Sequence, residues 1–210
     1  MRIQFTVPFA AVLSLAVAAG AASAQSGPPD VPGKVDPSRV AAGSYKVDPD
    51  HTQVVFTANH FGFSNYCGMI GAVTGTMTLD PKQPEAARLV IELPLGSAIT
   101  TSKALDEHLQ KADFFETDKF PTATFRSTRI EVAGDRAEIT GDLTLRGVTK
   151  PVVLAARFTG AGVNPMNKAA TVGFEATASV KRSEFGIKFA LPMVADRVDL
   201  RIVAAFEKTE

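Results

Sequence analysis

Apolar and polar residues alternate with a period of two along most of the chain after residue 50. Val54, Phe56 and Ala58, for example, alternate with Val55 and Thr57. Because successive side chains of a strand point to opposite faces, this pattern predicts β-strands that each have one mostly apolar face. Short turn-rich segments separate most of these runs. About eight strands are predicted, at 54–60, 68–80, 89–93, 123–127, 137–145, 152–158, 172–180 and 198–206.

One segment has helical spacing instead. Leu105 and Leu109 are four residues apart and share a face with His108. Ser102 stands before them as a candidate N-cap. We therefore predict one short α-helix at about 102–112.

Antiparallel strands with one apolar face each pack as a sandwich or close into a barrel, so the fold class is all-β. The interior of an eight-stranded barrel is either just filled by side chains or holds one small ligand. Small residues on the predicted inner faces fit a cavity lining and a tapered, filled barrel about equally well. They are Ala58, Gly75, Gly141, Ala156, Ala176, Ala178 and Ala204.

The first 24 residues have the pattern of a secretory signal peptide. A basic residue and a long apolar stretch precede Ala22-Ser23-Ala24, a small-x-small cleavage site. Cleavage between Ala24 and Gln25 would place the mature protein in the periplasm or outside the cell. The alternative is an uncleaved membrane anchor, since the stretch is nearly long enough to span a bilayer.

The next segment, 25–43, is rich in proline, which interrupts helices and central strands. We predict that it is a linker, extended or disordered. The remaining residues, 44–208, have the length expected of a single all-β domain.

Charge and composition narrow the functional classes. The chain has 22 Lys and Arg residues against 22 Asp and Glu residues. This balance argues against a dedicated nucleic-acid-binding protein, which usually carries a basic excess. A hydrophobic content of 45% at low net charge argues against disorder. A single cysteine, Cys67, excludes an intrachain disulfide and a cysteine-based zinc cluster.

Motifs of catalytic sites are absent from the sequence. The chain contains no G-x-S-x-G nucleophile elbow, no H-E-x-x-H zinc motif and no glycine-rich phosphate loop. An enzyme with His60 or His108 as its base is the weakest alternative, because no nucleophile or metal-ligand set accompanies either residue. We expect no catalytic residues, no metal and no cofactor.

Phenylalanine is unusually frequent between the predicted strands, where loops normally expose polar residues. Apolar loop residues have to be covered by the helix, by a partner subunit or by a ligand. A small core under the loops and the mouth of a ligand site are equally consistent with the pattern. The residues are Phe61, Phe63, Phe114, Phe115, Phe120, Phe185 and Phe189.

Short motifs follow one another in order from Tyr45 to Phe206. The most specific is HLQKADFF at 108–115; the others lie at 45–48, 51–56, 59–64, 75–80, 119–121, 124–127, 141–149 and 181–187. In this order they resemble the YceI-like proteins, a lipid- or polyisoprenoid-binding family of secreted bacterial proteins. The chain departs from the family pattern at 66–68 and at 101–103, which bears on the ligand's head group more than on the fold.

The resemblance implies an eight-stranded, antiparallel, lipocalin-like β-barrel with a hydrophobic pocket and the helix near its mouth. It implies a long apolar ligand, a polyisoprenoid or another lipid, bound for transport or storage. As partners we expect this ligand and no nucleic acid, and the resemblance allows a homodimer and transient contact with a membrane. The alternative is a non-enzymatic interaction or dimerisation module with a filled barrel and no physiological lipid.

The predicted ligand site has two parts. The lining is expected to include Phe56, Ala58, Met77, Leu89, Ile91, Phe125, Leu143, Leu154, Phe174 and Phe185. Around the mouth we expect His60, Phe61, Phe63, His108, Phe114 and Arg182. A guanidinium such as that of Arg182 suits a phosphate or a ring oxygen of a head group.

Overall fold

The computed structural model describes residues 31–209. The predicted signal peptide and the first residues of the predicted linker lie outside this range. One short helix, α1 (Lys103–Leu109), accompanies the strands β1 (Gly43–Val47), β2 (Gln53–His60), β3 (Ser64–Ile70), β4 (Thr74–Leu79), β5 (Arg88–Pro94), β6 (Ala98–Ile99), β7 (Thr122–Ala133), β8 (Arg136–Leu145), β9 (Val148–Val163), β10 (Ala170–Lys181) and β11 (Val194–Lys208).

Eight antiparallel strands form a closed ring, which confirms the predicted barrel. Their order is β1-β4-β5-β7-β8-β9-β10-β11, and β11 pairs with β1 to close it. The long strand β11 has two partners on the same edge. Its segment 206–208 pairs with β1, and its segment 194–203 pairs with β2. From β2 the sheet continues through β3 to β6.

The eight strands of the ring are not the eight predicted runs. The run 68–80 is divided between β3 and β4, because Ala72 adopts a left-handed conformation with φ 51°. The strand β1, which has five residues and follows the proline-rich segment, was not predicted. It occupies the place in the ring that β2 would otherwise take.

The two turns at either end of β8 define the ends of the barrel. A ten-residue antiparallel strand is about 34 Å long at roughly 3.4 Å per residue. We call the end with the Gly134–Asp135 turn the open end and the end with the Arg146–Gly147 turn the helix end. Arg146 pairs with Glu116 at 3.0 Å and donates to the Gly186 carbonyl at 3.1 Å. The loops 110–121 and 186–193 therefore lie at the helix end.

The helix begins where the sequence predicts and ends earlier. The Ser102 hydroxyl accepts a hydrogen bond from the Leu105 amide, as an N-cap does. After Leu109 the chain continues in turns instead of a further helical turn. A compact apolar cluster under the helix fills this end of the barrel, and it comprises Ile70, Leu95, Ala98, Leu109 and Ala123 with Phe56, Leu93, Leu105, Phe114, Phe115 and Leu145.

Residues 31–42, which belong to the predicted linker, lie against the barrel. Lys34 and Ala161 exchange two backbone hydrogen bonds of 3.0 and 2.9 Å. A short 3-10 turn, Pro37–Arg39, follows and is capped by the Asp36 carboxylate. The segment bends at Pro32 and Val35 and pairs with β9 at Lys34.

Candidate functional site

The barrel encloses a cavity of about 370 Å³ between its inner sheet faces. Two clusters of buried residues form its walls, one around Met77 and Phe206 and one around Phe125 and Leu154. The sequence left a filled and a hollow barrel open, and the structure has a hollow one. This hollow interior differs from the filled barrel of the interaction-module alternative.

A row of small residues crosses three neighbouring strands and helps to leave this space. Ala137, Ala156 and Ala176 stand opposite one another on β8, β9 and β10. Next to this row, on β9, β10 and β11, aromatic rings touch at a tilt or edge to face. The ring centroids of Phe158 and Phe174 are 5.8 Å apart. The small residues beside these rings leave apolar space in the interior of the barrel.

Among the described residues, the charged ones that border the cavity lie beside the open end. They are Asp135 in the β7–β8 turn, Arg136 directly after it, and Arg157 and Glu175 on the adjoining strands. Arg136, Arg157 and Glu175 alternate with the inward-facing Ala137, Ala156 and Ala176, so their side chains are directed to the outer face. Arg157 and Glu175 pair at 3.1 Å, with both side chains partly exposed. Beside β11, the Thr52 hydroxyl exchanges hydrogen bonds with the backbone of Ala205. The interior therefore suits an apolar ligand, with its polar neighbours at one end.

Seven of the predicted lining residues line the cavity: Met77, Leu89, Ile91, Phe125, Leu143, Leu154 and Phe174. Three do not. The Phe56 ring lies against Gly68 and packs into the cluster under the helix. Phe185 is fully buried in the turn after β10. Ala58 stands opposite Tyr66 and Val198, in the part of the sheet that extends beyond the ring.

The predicted mouth residues lie at the helix end, away from the cavity. Phe61 and Phe63 are exposed in the β2–β3 turn next to His60, and Phe63 is 91% exposed. His108 bonds to the Asp113 carboxylate at 2.8 Å and contacts the ring of Phe114. The helix therefore covers a closed end. Sequence order could not reveal this, because it does not say which end of a barrel is filled.

Arg182 requires the clearest correction. It is 5% exposed, and its guanidinium donates to the carbonyl oxygens of Ile187, Phe189, Val194 and Ala195. Burial lowers its pKa, and the nearby Asp196 carboxylate acts in the opposite direction. The side chain holds a loop together and is not available to a head group.

Several lining residues were missed. Those on strands follow the same inward alternation as the predicted ones, so the pattern contained a signal for them: Val54, Leu79, Leu93, Ile139, Phe158, Leu200, Ile202 and Phe206. Those in loops had no such signal: Pro37, Val40, Pro81, Pro84 and Ala87.

Within residues 31–209, no group of three or more His, Cys, Asp and Glu side chains is arranged to hold a metal ion. In the same range, no helix has the length and apolar character needed to cross a bilayer.

Comparison with known proteins agrees with the fold. A family model described as a YceI-like domain matches residues 45–206. The chain belongs to the YceI-like family. A member from Escherichia coli O157:H7, the protein YceI, is 41% identical over 163 residues, which cover 77% of this chain and 85% of that protein. The resemblance carried by the sequence motifs is thereby confirmed.

Two solved structures show the same architecture. Burkholderia cenocepacia BcnA has a TM-score of 0.68 at 21% identity, covering 76% of this chain and 98% of that protein. A polyisoprenoid binding domain from Saccharophagus degradans has a TM-score of 0.60 at 13% identity, covering 80% of this chain and 99% of that domain. At these identities the likeness concerns the fold.

Proposed function

We propose that this YceI-like barrel binds a long apolar ligand, a polyisoprenoid or another lipid, for transport or storage in the periplasm. The observation that carries the proposal is the closed barrel with an apolar cavity of about 370 Å³. Its walls offer aliphatic and aromatic contacts and no charged group away from the open end. The protein acts as a binding protein without catalysis.

The energetics favour exchange with a membrane over capture from water. Each methylene buried from water contributes about 0.8 kcal/mol, so a five-carbon isoprene unit contributes roughly 4 kcal/mol before binding costs. A lipid tail in a bilayer is already out of water, so its transfer into the barrel is close to balanced. The polar contacts beside the open end then bias loading and release. Asp135 and Arg136 border the cavity at this end.

The family relationship supports this proposal. The Saccharophagus degradans domain with the same fold is a polyisoprenoid binding domain. In our chain the corresponding barrel has an apolar-lined cavity of about 370 Å³, which suits a segment of such a ligand. The interaction-module alternative retains one supporting observation, the exposed Phe63 at the helix end.

Probe binding by two neighbouring alanine variants tests the proposal. Ala156 is buried and lines the cavity, whereas Ala155 is exposed on the outer face of the same strand. Ala156→Phe should weaken binding of a fluorescent polyprenyl probe by about tenfold or more, because the new ring occupies the cavity. Ala155→Phe should bind as the wild type does. Native mass spectrometry of protein purified without detergent should also detect a bound lipid.

The same experiment separates the alternatives. An interaction module without a ligand predicts no probe uptake by the wild type and no co-purified lipid. Equal binding by the wild type and both variants would place the probe outside the barrel, and the proposal would then be abandoned.

A further inference from the structure

A segment outside the family-matched region forms part of the cavity wall. Residues 32–40, which we call the strap, precede β1, and the family match begins only at residue 45. Pro37 and Val40 of the strap line the cavity together with Pro81 and Pro84 of the β4–β5 loop. Val40 also packs against the buried cluster that contains Phe206. The strap therefore contributes to the site and is more than a connection to the barrel.

The strand β9 is shaped to receive the strap. The backbone of Lys34 exchanges two hydrogen bonds with that of Ala161. A Cβ at Gly162 would overlap the Pro32 carbonyl oxygen, and one at Gly160 would lie 3.3 Å from the Lys34 backbone. Any larger residue at Gly162 would push the strap away. A strand interior normally disfavours glycine. The close approach of the Pro32 carbonyl explains why residue 162 is a glycine.

Local contacts direct the second half of the strap toward the cavity. The Asp36 carboxylate accepts hydrogen bonds from the amide and the hydroxyl of Ser38 and caps the Pro37–Arg39 turn. The Tyr45 hydroxyl, which is buried in β1, donates to the Ala41 carbonyl. These contacts fix the chain on both sides of Val40, whose side chain packs against the barrel core.

We propose that the strap closes the open end over the bound apolar ligand and sets the rate at which the ligand enters and leaves. Pro37 and Val40 contact the portion of the ligand nearest the open end. This inference rests on the proposed function. The backbone of the first half of the strap pairs with β9 at Lys34, and the side chains of Val31 and Val35 are exposed. A segment with few buried apolar contacts opens more readily than the strands beneath it.

Two glycine-to-alanine variants of the full chain provide the test. Gly162→Ala displaces the strap from β9 without changing a cavity-lining residue. Gly33→Ala is the matched control, because a Cβ there meets no atom within 4 Å. We expect Gly162→Ala to release a fluorescent polyprenyl probe about tenfold faster, since it removes a pair of backbone hydrogen bonds that hold the strap. Gly33→Ala should release the probe at the wild-type rate.

A second variant and a second readout guard against an indirect effect of Gly162→Ala on folding. Lys34→Pro removes the amide that donates to the Ala161 carbonyl and should also accelerate release. Hydrogen exchange at the Ala161 amide reports strap opening without any ligand. It should be slow in the wild type and in Gly33→Ala, and fast in Gly162→Ala.

The outcomes distinguish a failure of the strap proposal from a failure of the proposed ligand-binding function. If the wild type binds the probe and all variants release it at the same rate, the strap proposal is wrong and the proposed function stands. If the wild type binds no probe, the proposed function fails and the strap's role in ligand exchange falls with it. Fast exchange at the wild-type Ala161 amide would show an unattached strap and overturn the inference on its own.

Discussion

At the scale of single residues, Arg182 shows how burial determines a side chain's role. Its guanidinium lies beneath the 186–195 segment and donates to four backbone carbonyls there. Asp196, whose carboxylate accepts two hydrogen bonds from Ser183, lies nearby and compensates part of the buried charge. The Arg182 guanidinium thus supplies hydrogen-bond donors to carbonyls that would be paired with backbone amides in regular secondary structure.

Replacing Arg182 should be costly for stability. Arg182→Ala leaves four partly buried carbonyls without their donor, so we expect the free energy of unfolding to fall by about 3 kcal/mol. Arg182→Lys should recover part of this loss, because an ammonium donates from a single nitrogen. Lys181→Ala, at the exposed neighbouring position, is the control and should have little effect. Urea denaturation measures all three; an unchanged midpoint for Arg182→Ala would contradict this role.

His51 should make stability depend on pH. Its Nδ1 atom lies 2.6 Å from the Asp48 carboxylate, and this hydrogen bond, with the charge of Asp48, raises the His51 pKa. The folded state thus holds the proton more tightly than the unfolded state, whose histidine titrates near 6.5. The stabilisation is complete below about pH 6.5 and disappears as the pH rises through the raised pKa.

The measurement compares wild type with His51→Gln. The difference in free energy of unfolding between them should be larger at about pH 5.5 than at about pH 9. Because the ring is exposed, added salt should reduce the difference. An NMR titration supplies the control: Asp48→Asn should bring the His51 midpoint down toward 6.5. A midpoint at the ordinary value in the wild type would remove the basis of the prediction.

At the scale of elements, period-two alternation located most strands, including β2, β5 and β8 to within one residue at each end. Errors arose where the backbone departs from regular geometry. The left-handed conformation of Ala72 divides the predicted strand 68–80 into β3 and β4. The alternation of apolar and polar residues did not indicate that conformation. The helix similarly ends at Leu109, although Ala112 continues its apolar face.

The pairing of β2 with β3 depends on a ring placed over a glycine. Phe56 and Gly68 stand opposite each other, and a Cβ at Gly68 would overlap the Phe56 ring. We expect Gly68→Ala to lower the free energy of unfolding by about 1–3 kcal/mol through overpacking. The double variant Gly68→Ala with Phe56→Leu should regain part of that loss, because the smaller side chain makes room.

The control for this pair is Gly71→Ala, at a position between β3 and β4 where a Cβ meets no atom within 4 Å. Thermal or urea unfolding compares the three variants. If Gly68→Ala is as stable as Gly71→Ala, the ring does not occupy the space over Gly68.

At the scale of the whole molecule, long-range pairing separates the two ends of the barrel. The ring closes through contacts such as Tyr45 with Lys208, which are far apart in sequence. The helix end is filled by its own apolar cluster, while the other end keeps the cavity and its charged neighbours. Loops rich in phenylalanine belong mainly to the filled end, with Phe114 and Phe115 in its cluster and Phe63 on its surface.

Residue patterns alone predicted the all-β class, most strand positions, the N-cap at Ser102 and the family. These properties depend on alternation, capping and ordered motifs, which are determined by residues that are close together in the sequence. The tertiary structure was needed to show that β1 closes the ring, that Arg182 is buried, which end holds the cavity, and that Pro37 and Val40 line it. Each of these depends on segments that meet across the fold, such as Lys34 and Ala161, and no local pattern specifies such a meeting.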